Sequence, residues 1–142
     1  PDKAFFGEKD RQQVEVIRTM TRDLNLDIEI ESLPLIREKD GLAMSSRNYY
    51  LTKTERRSAL SLNRALKVAR AMVENGESSA EKIKREIRDV ILSEPHTSID
   101  YISVCDAETF ADRERVSGKA VIALAVHIGR ARLIDNCIVE KV

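Results

Sequence analysis

The first periodic pattern of side chains along the chain predicts a helix over residues 9–25. The expected buried face recurs at three- to four-residue spacing, with charged side chains opposite. That face consists of Val14, Ile17, Met20, Thr21 and Leu24. Residues 27–33 then alternate polar and apolar side chains, which predicts a strand that ends before Pro34. A helix followed by a strand is half of a βαβ unit, so this segment indicates the end of a parallel α/β sheet.

Two longer helices are predicted in the middle of the chain. Residues 52–55 have the hydroxyl-to-glutamate spacing of a capping box, and the helix that they start is predicted over residues 52–75, where Gly76 ends it. Residues 78–81 repeat that spacing, and Pro95 ends the second helix. The predicted core positions are Leu60, Leu62, Leu66, Val68, Met72 and Val73 in the first helix and Ile83, Ile87 and Ile91 in the second.

Apolar segments near the end of the chain predict three strands, at residues 99–105, 120–128 and 132–139. Gly129 and Arg130 suit a tight connection between the last two strands, so these two are expected to form a hairpin. Residues 34–48 are predicted to be a loop between the two parts of the chain. Helices followed by antiparallel strands predict a small α+β domain after that loop.

The composition excludes several classes of protein. The 142 residues suffice for one core, and one or two small domains are expected. Lys and Arg together number 24, as do Asp and Glu, so no overall field would attract nucleic acid or a membrane surface. No apolar run approaches the roughly 20 residues of a membrane span. Cys105 and Cys137 lack metal-ligand spacing, which favours buried, reduced thiols in a cytoplasmic protein.

The loop after the first predicted strand carries the strongest candidate for chemistry. Ser45, Ser46 and Arg47 place two short hydroxyl donors beside a planar guanidinium that suits phosphate oxygens. The Asp-Gly turn just before them would hold them still. Two plainer alternatives stay open: the hydroxyls only cap a turn, and Arg47 forms a surface ion pair with Glu38 or Asp40 that contributes little to stability.

A second candidate lies upstream, in residues 7–10. Backbone N–H groups after Gly7, at the start of a helix, could hold an anion that Lys9 neutralises. A bound anion would explain why Lys9, a cation, lies at a helix start, where the helix dipole disfavours positive charge. The alternatives are a solvated Lys9, a helix cap at Asp10 and a solvated Gln13 one turn on. Two candidate phosphate sites in one short chain suggest a nucleotide.

The two histidines suggest no catalytic set. His96 lies in a loop and His127 lies within an apolar strand, so both are expected to be structural. Residues 127–130 read His-Ile-Gly-Arg, which lacks the second histidine of a nucleotide-binding His-x-Gly-His sequence. Neither a Ser-His-Asp set nor a cluster of metal ligands is recognisable.

Two long motifs resemble the pantothenate synthetase (pantoate–β-alanine ligase) family. Residues 6–13 read Phe-Gly-Glu-Lys-Asp-Arg-Gln-Gln, and residues 36–48 read Ile-Arg-Glu-Lys-Asp-Gly-Leu-Ala-Met-Ser-Ser-Arg-Asn. Residues 1–4 and 132–136 add support, so the similarity covers the whole chain. Arg11 stands where the family more often has an aromatic residue, outside the positions expected to act in catalysis.

The resemblance implies the C-terminal half of a family member with an α/β fold. Residues 1–35 would be the end of a Rossmann-like nucleotidyltransferase domain. Residues 36–142 would be a small α+β C-terminal domain with an antiparallel sheet, carrying the Ser-Ser-Arg loop. The implied activity is ATP-dependent ligation of (R)-pantoate and β-alanine to pantothenate through a pantoyl adenylate, with release of AMP and pyrophosphate. A cytoplasmic homodimer is also implied, with Mg²⁺ accompanying ATP.

The resemblance also assigns site residues by position. Lys9, Ser45, Ser46 and Arg47 would be catalytic, Lys9 by stabilising the transferring phosphate and the other three by holding the phosphates. Gln13 would contact pantoate, and no residue is assigned to a metal. The residues expected to bind ATP are Gly7, Glu8, Lys9, Asp10, Ile36, Met44, Ser45, Ser46 and Arg47, with Ile36 and Met44 reaching the adenine through their backbones.

The His-x-Gly-His half of the family does not occur in this sequence, and neither histidine replaces it. The polypeptide is therefore expected to need that N-terminal half as a partner and to lack ligase activity alone. Its other expected partners are small molecules (pantoate, β-alanine and ATP) rather than nucleic acid or a membrane. Two alternatives stay open: another adenylate-forming nucleotidyltransferase relative, and a non-catalytic module for docking or dimerisation.

Overall fold

The computed structural model describes the whole chain, Pro1–Val142, and divides it into two compact units. The first unit is Pro1–Ile36 and the second is Arg37–Val142. Both contain helix and sheet, with parallel strands in the first unit and antiparallel strands in the second. This arrangement agrees with the predicted α/β class. The assignment of residues 1–35 and 36–142 to two domains of a longer ligase stays a prediction.

The first unit is a βαβ unit. Strand β1 (Lys3–Gly7) pairs in parallel with β2 (Glu29–Leu33), and helix α1 (Arg11–Asp23) connects them. The parallel sheet that the helix-strand order indicated is therefore confirmed. Strand β1 was not predicted, because its five residues lack the alternation of polar and apolar side chains that marks a half-buried strand.

The predicted buried face of α1 is only partly correct. Val14 and Thr21 are buried, but Met20 is 47% exposed and Leu24 is 63% exposed. A sheet of two strands, which lie roughly 5 Å apart, is too narrow to cover the whole apolar face of a helix. Apolar periodicity thus identified the helix correctly, whereas the width of the neighbouring sheet determines how much of that face is covered.

The second unit packs two helices against a three-stranded antiparallel sheet. Helix α2 spans Lys53–Glu74 and helix α3 spans Ala80–Leu92. The sheet order is β3-β4-β5, and these strands are Thr97–Asp106, Gly118–Ile128 and Ala131–Lys141. The predicted helices, strands and terminal hairpin are confirmed, with strand ends that differ by up to two residues. No helix in either unit combines the length and the apolar composition needed to cross a membrane.

The core of the second unit lies between the two helices and one face of the sheet. Alternate residues of β4 face this core, as the period of two in a strand requires. The largest fully buried side chains include Leu62, Leu66, Ile83, Ile87, Ile91, Ile122, Leu124 and Ile128. Val68, a predicted core residue, is only partly buried and lies outside the cluster, because its position is out of step with the buried face of α2.

The predicted capping box fixes the start of α2. Thr52 Oγ1 accepts a hydrogen bond from the N–H of Glu55 at 3.2 Å, and Glu55 Oε2 accepts one from the N–H of Thr52 at 2.9 Å. Because the cap satisfies N–H groups that the helix leaves unpaired, we expect Thr52→Ala to lower the free energy of unfolding by about 1 kcal/mol. Urea denaturation followed by circular dichroism measures this change. Thr52→Ser keeps the hydroxyl and is the control; an equal loss in both variants would contradict the prediction.

The start of α3 differs from the predicted capping pattern. Ser79, rather than Ser78, is the N-cap, and its Oγ accepts a hydrogen bond from the N–H of Lys82 at 3.4 Å. Glu77 Oε1 accepts the N–H groups of Ser78 and Ser79 at 2.9 and 2.8 Å. Since Glu77 already satisfies these two donors, the reciprocal pairing predicted for residues 78–81 does not form.

Both cysteines are buried and free of disulfides, as expected. Cys105 lies on β3 and Cys137 lies on β5. Burial raises the pKa of the Cys137 thiol to about 11, so this thiol is protonated at neutral pH. Because the thiolate is the nucleophilic form of cysteine, Cys137 fits a packing role rather than a catalytic one.

Candidate functional site

Residues 7–10 form the junction between β1 and α1 in the first unit. Gly7 is the last residue of β1, and a 3₁₀ turn at Glu8–Asp10 leads into the helix. Ligands of α/β sheets bind where the carboxyl ends of parallel strands meet helix N-termini, since backbone N–H groups there attract anions. Lys9 lies in this turn and not, as the sequence indicated, in the first turn of the α-helix.

Asp10 has the structural role that the sequence left open as an alternative. Asp10 is the N-cap of α1, and its Oδ1 accepts a hydrogen bond from the N–H of Gln13 at 3.2 Å. This cap explains why the α-helix begins only at Arg11. The Gln13 side chain is exposed in the first turn of α1, where it is accessible to a ligand.

The Glu8 side chain is held by its own unit. Its Oε2 accepts a hydrogen bond from Arg11 at 2.6 Å, and its Oε1 accepts one from the Ser32 hydroxyl at 3.1 Å. These contacts attach the turn to α1 and to β2. The Glu8 carboxylate therefore has a structural role. The group of Glu8 that could bind an anion is its backbone N–H.

In the second unit, a tight turn precedes the Ser-Ser-Arg segment. The N–H of Gly41 donates to the carbonyl of Glu38 at 2.9 Å, and the N–H of Glu38 donates to the carbonyl of Leu42 at 2.8 Å. Gly41 has a φ of +95°, which favours glycine, and a Cβ there would lie 2.5 Å from the Asn63 amide nitrogen. The structure thus confirms the turn that the Asp-Gly pair predicted.

Ser45, Ser46 and Arg47 follow this turn at the surface. Ser45 is the N-cap of a 3₁₀ turn at Ser46–Tyr50, because its Oγ accepts a hydrogen bond from the N–H of Arg47 at 3.2 Å. The capping alternative is therefore confirmed for Ser45. Ser46 and Arg47 are exposed. The segment brings hydroxyl groups and a guanidinium to the solvent within three consecutive residues.

Arg47 does not form the surface ion pair considered from the sequence. Its Nη1 donates to the carbonyl oxygen of Arg132 at 3.2 Å. Glu38 and Asp40 pair instead with Arg56 of α2, at 2.6 and 2.8 Å. Since no carboxylate pairs with Arg47, its positive charge is available to an anion.

Hydrogen bonds from the Asn48 side chain join the end of this loop to its earlier residues. The Nδ2 of buried Asn48 donates to Glu38 Oε1 at 2.7 Å and to the carbonyl of Ala43 at 3.0 Å. The hydrogen bond from Asn48, followed by that from Arg56, lowers the pKa of the Glu38 carboxyl below its ordinary value. Glu38 is therefore ionised at neutral pH and joins the loop to α2.

A further ion pair in this loop was not predicted from the sequence. Arg37 donates to both carboxylate oxygens of Asp135, at 2.7 and 2.9 Å, although the two residues are 98 positions apart in the chain. Arg37 lies in the second motif and Asp135 in the supporting segment 132–136, but no local signal could have paired them. The pair attaches the loop to β5.

The two residues expected near adenine are exposed, each within its own unit. Ile36, at the end of the first unit, is 64% exposed, and Met44 of the second unit is 54% exposed. Both histidines are exposed as well. No group of three or more His, Cys, Asp or Glu residues is arranged to hold a metal ion.

Three comparisons relate the chain to known proteins. A family model described as Pantoate-beta-alanine ligase matches residues 1–138. The pantothenate synthetase of Caldicellulosiruptor bescii is 54% identical over 140 residues, which cover 99% of this chain and 50% of that protein. A crystal structure of pantothenate synthetase from Thermus thermophilus has a TM-score of 0.90 and 39% identity, over 96% of this chain and 49% of that one.

A second structural relative was solved with ligands. This pantoate-beta-alanine ligase from Francisella tularensis, complexed with beta-gamma ATP and beta-alanine, has a TM-score of 0.64 and 27% identity, over 97% of this chain and 44% of that one. The chain spans about half the length of the curated relatives it matches. The matched residues include both motifs that carried the resemblance. The chain belongs to the pantoate-beta-alanine ligase family.

Proposed function

We propose that this chain forms part of an enzyme that joins (R)-pantoate and β-alanine to pantothenate, with ATP as co-substrate. The observation that carries the proposal is the surface segment Ser45–Arg47, whose guanidinium has no carboxylate partner, in a chain of this ligase family. The Francisella relative, complexed with beta-gamma ATP and beta-alanine, supports these two substrates.

In the first step, a carboxylate oxygen of pantoate attacks the α-phosphorus of ATP. The bond from that phosphorus to the oxygen bridging to the β-phosphate breaks, so pantoyl adenylate forms and pyrophosphate leaves. Both reactants are anions, and the step therefore needs positive charge and positioning more than a base. Lys9 and Arg47 supply positive charge, and the Ser45 and Ser46 hydroxyls supply short donors to phosphate oxygens.

In the second step, the amine of β-alanine attacks the acyl carbon of the adenylate. The bond from that carbon to the phosphate oxygen breaks, AMP leaves, and the amine nitrogen loses a proton as the amide forms. Adenylate formation has already made the carboxyl group reactive, because AMP is a far better leaving group than an oxide ion. We assign no residue of this chain as the base that takes the proton.

Each unit contributes proposed ligand contacts. In the first unit, Gln13 contacts pantoate. ATP is contacted by the turn after β1 and by the last residue of the unit, that is by Gly7, Glu8, Lys9, Asp10 and Ile36. In the second unit the proposed ATP contacts are Met44, Ser45, Ser46 and Arg47. Mg²⁺ would screen the charge of the triphosphate when it is bound.

Pyrophosphate exchange tests this function directly. In a ligase of full family length that carries these residues, we expect (R)-pantoate to support exchange of labelled pyrophosphate into ATP without β-alanine. Addition of β-alanine should then release AMP and pantothenate in equal amounts. Release of ADP would instead indicate an acyl phosphate, and exchange with other carboxylic acids but not pantoate would favour a different adenylate-forming enzyme.

We expect the 142-residue polypeptide alone to form no detectable pantothenate. Adenylate formation requires the triphosphate of ATP and the carboxylate of pantoate to be held in the correct relative position. The polypeptide lacks the family's His-x-Gly-His sequence, which is part of that site. A coupled assay for AMP with all three substrates measures this. The enzyme of full family length is the positive control, and near-normal turnover by the polypeptide would contradict the prediction.

Two finer proposals concern the state of the whole enzyme. The family resemblance favours a homodimer in the cytoplasm. Sedimentation equilibrium of the enzyme of full family length checks the dimer, and cell fractionation checks the location. A monomer that retains full activity would refute the first proposal and would leave the ligase reaction unaffected.

A further inference from the structure

The loop that carries the Ser-Ser-Arg segment is attached to β5 by a planar ion pair. Arg37 Nη1 donates to Asp135 Oδ2 at 2.7 Å, and Arg37 Nη2 donates to Oδ1 at 2.9 Å. Arg37 Nη1 also donates to the carbonyl of Gly41 at 3.1 Å, across the turn. The guanidinium therefore joins three points: the start of the loop, its turn and the strand.

The carboxylate side of this pair is itself held in place. Asp135 is 2% exposed, and its Oδ1 accepts a further hydrogen bond from the N–H of Asn136 at 2.8 Å. A buried ion pair often stabilises a protein no more than apolar side chains of similar volume would. Its two parallel hydrogen bonds nevertheless fix both the direction and the distance of the arginine. The arrangement thus suits orientation better than stabilisation.

The same strand also contacts the functional end of the loop. Arg47 donates to the backbone carbonyl of Arg132, three residues before Asp135 on β5. Both Arg37 and Arg47 are therefore anchored to the same strand. The Asn48 amide bonds to Glu38 and to the carbonyl of Ala43, so it links two points of the segment between these anchors.

We propose that Arg37 and Asp135 are positioning residues that hold the Ser45–Arg47 segment where its hydroxyls and guanidinium meet phosphate oxygens. This inference rests on the proposed function. The pair contacts no substrate in this role; it acts through the loop. Loss of the pair should therefore loosen the segment and weaken productive ATP binding even where the fold is retained.

The test is a double variant, Arg37→Met with Asp135→Leu, in the ligase of full family length. Apolar side chains at both positions leave no unpaired buried charge, so the fold should be kept. The matched control is Arg64→Met with Glu94→Leu, which removes an ion pair of 2.7 Å on the surface of the second unit. Asp135→Asn is a second, milder variant that keeps the shape of the side chain and removes its charge.

Hydrogen exchange and kinetics provide independent measurements. We expect amide exchange in residues 42–48 to become about tenfold faster in the double variant, as expected for loss of a hydrogen bond between charged groups, with the core unchanged. The kcat/KM for ATP should fall by at least about tenfold, and Asp135→Asn should shift both measurements the same way. The surface control should change neither.

The positioning role would be overturned by unchanged exchange in residues 42–48, or by faster exchange there with an unchanged kcat/KM for ATP. Equal acceleration of exchange throughout the second unit would also overturn it, because it would indicate a purely structural pair. An inactive parental enzyme would instead contradict the proposed function. The exchange measurement would then decide alone whether the pair holds the segment.

Discussion

Lys9→Ala is expected to lower kcat by about 100- to 1,000-fold while weakening ATP binding far less, in the ligase of full family length. A cation that stabilises charge developing on the transferring phosphate acts mainly in the transition state, so its removal affects turnover more than ground-state binding. The position of Lys9 in the turn between β1 and α1 supports this role, since backbone N–H groups at such a junction attract the same anion.

Pantoate-dependent pyrophosphate exchange measures the turnover of Lys9→Ala, and equilibrium binding of a non-hydrolysable ATP analogue measures its affinity. Lys67→Ala is the matched control, because Lys67 is an exposed lysine within α2, where alanine preserves the helix. The control should retain parental values. Equal losses of turnover and affinity in Lys9→Ala would assign Lys9 to ATP binding alone.

Leu62→Ala is expected to lower the free energy of unfolding of the second unit by about 2–5 kcal/mol. Leu62 is 1% exposed in α2 and packs in the core between the helices and the sheet, so its truncation loses buried apolar area and leaves a cavity. Urea denaturation measures the change, provided that the slope of the transition is unaffected.

Leu92→Ala is the control for this truncation. It makes the same chemical change at the end of α3, where the Leu92 side chain is 52% exposed. We expect its effect to stay within about 0.5 kcal/mol, as for most surface substitutions. Similar losses in the two variants would show that the interface between α2 and the sheet does not dominate the stability of this unit.

The helices and strands of the second unit could be predicted because their signals are local. The hydroxyl at Thr52 and the glutamate at Glu55 lie one helical turn apart, and the structure shows their reciprocal hydrogen bonds. The tight hairpin at Gly129 likewise follows from backbone preferences of neighbouring residues. Strand β1 was not predicted because its residues lack the alternation that marked β2, although the two strands pair with each other.

The candidate site shows the same division between local and distant signals. Ser45, Ser46 and Arg47 were identified from their side-chain chemistry, and the turn before them from the Asp-Gly pair. The partners of the charged residues could not be identified in this way. Glu38 and Asp40 pair with Arg56 rather than with Arg47, which is nearer in the chain. The sequence gives the sign of each charged side chain but not the partner that it contacts in the fold.

The sequence by itself determined the family, the candidate phosphate contacts and the order of helices and strands apart from β1, because each depends on residues close together in the chain. Only the tertiary structure decided how much of the apolar face of α1 is covered, and that the Arg37 guanidinium reaches Asp135 across 98 positions. Such pairings depend on how strands and helices pack, and a buried carboxylate bonds to whichever donor the fold brings within about 3 Å.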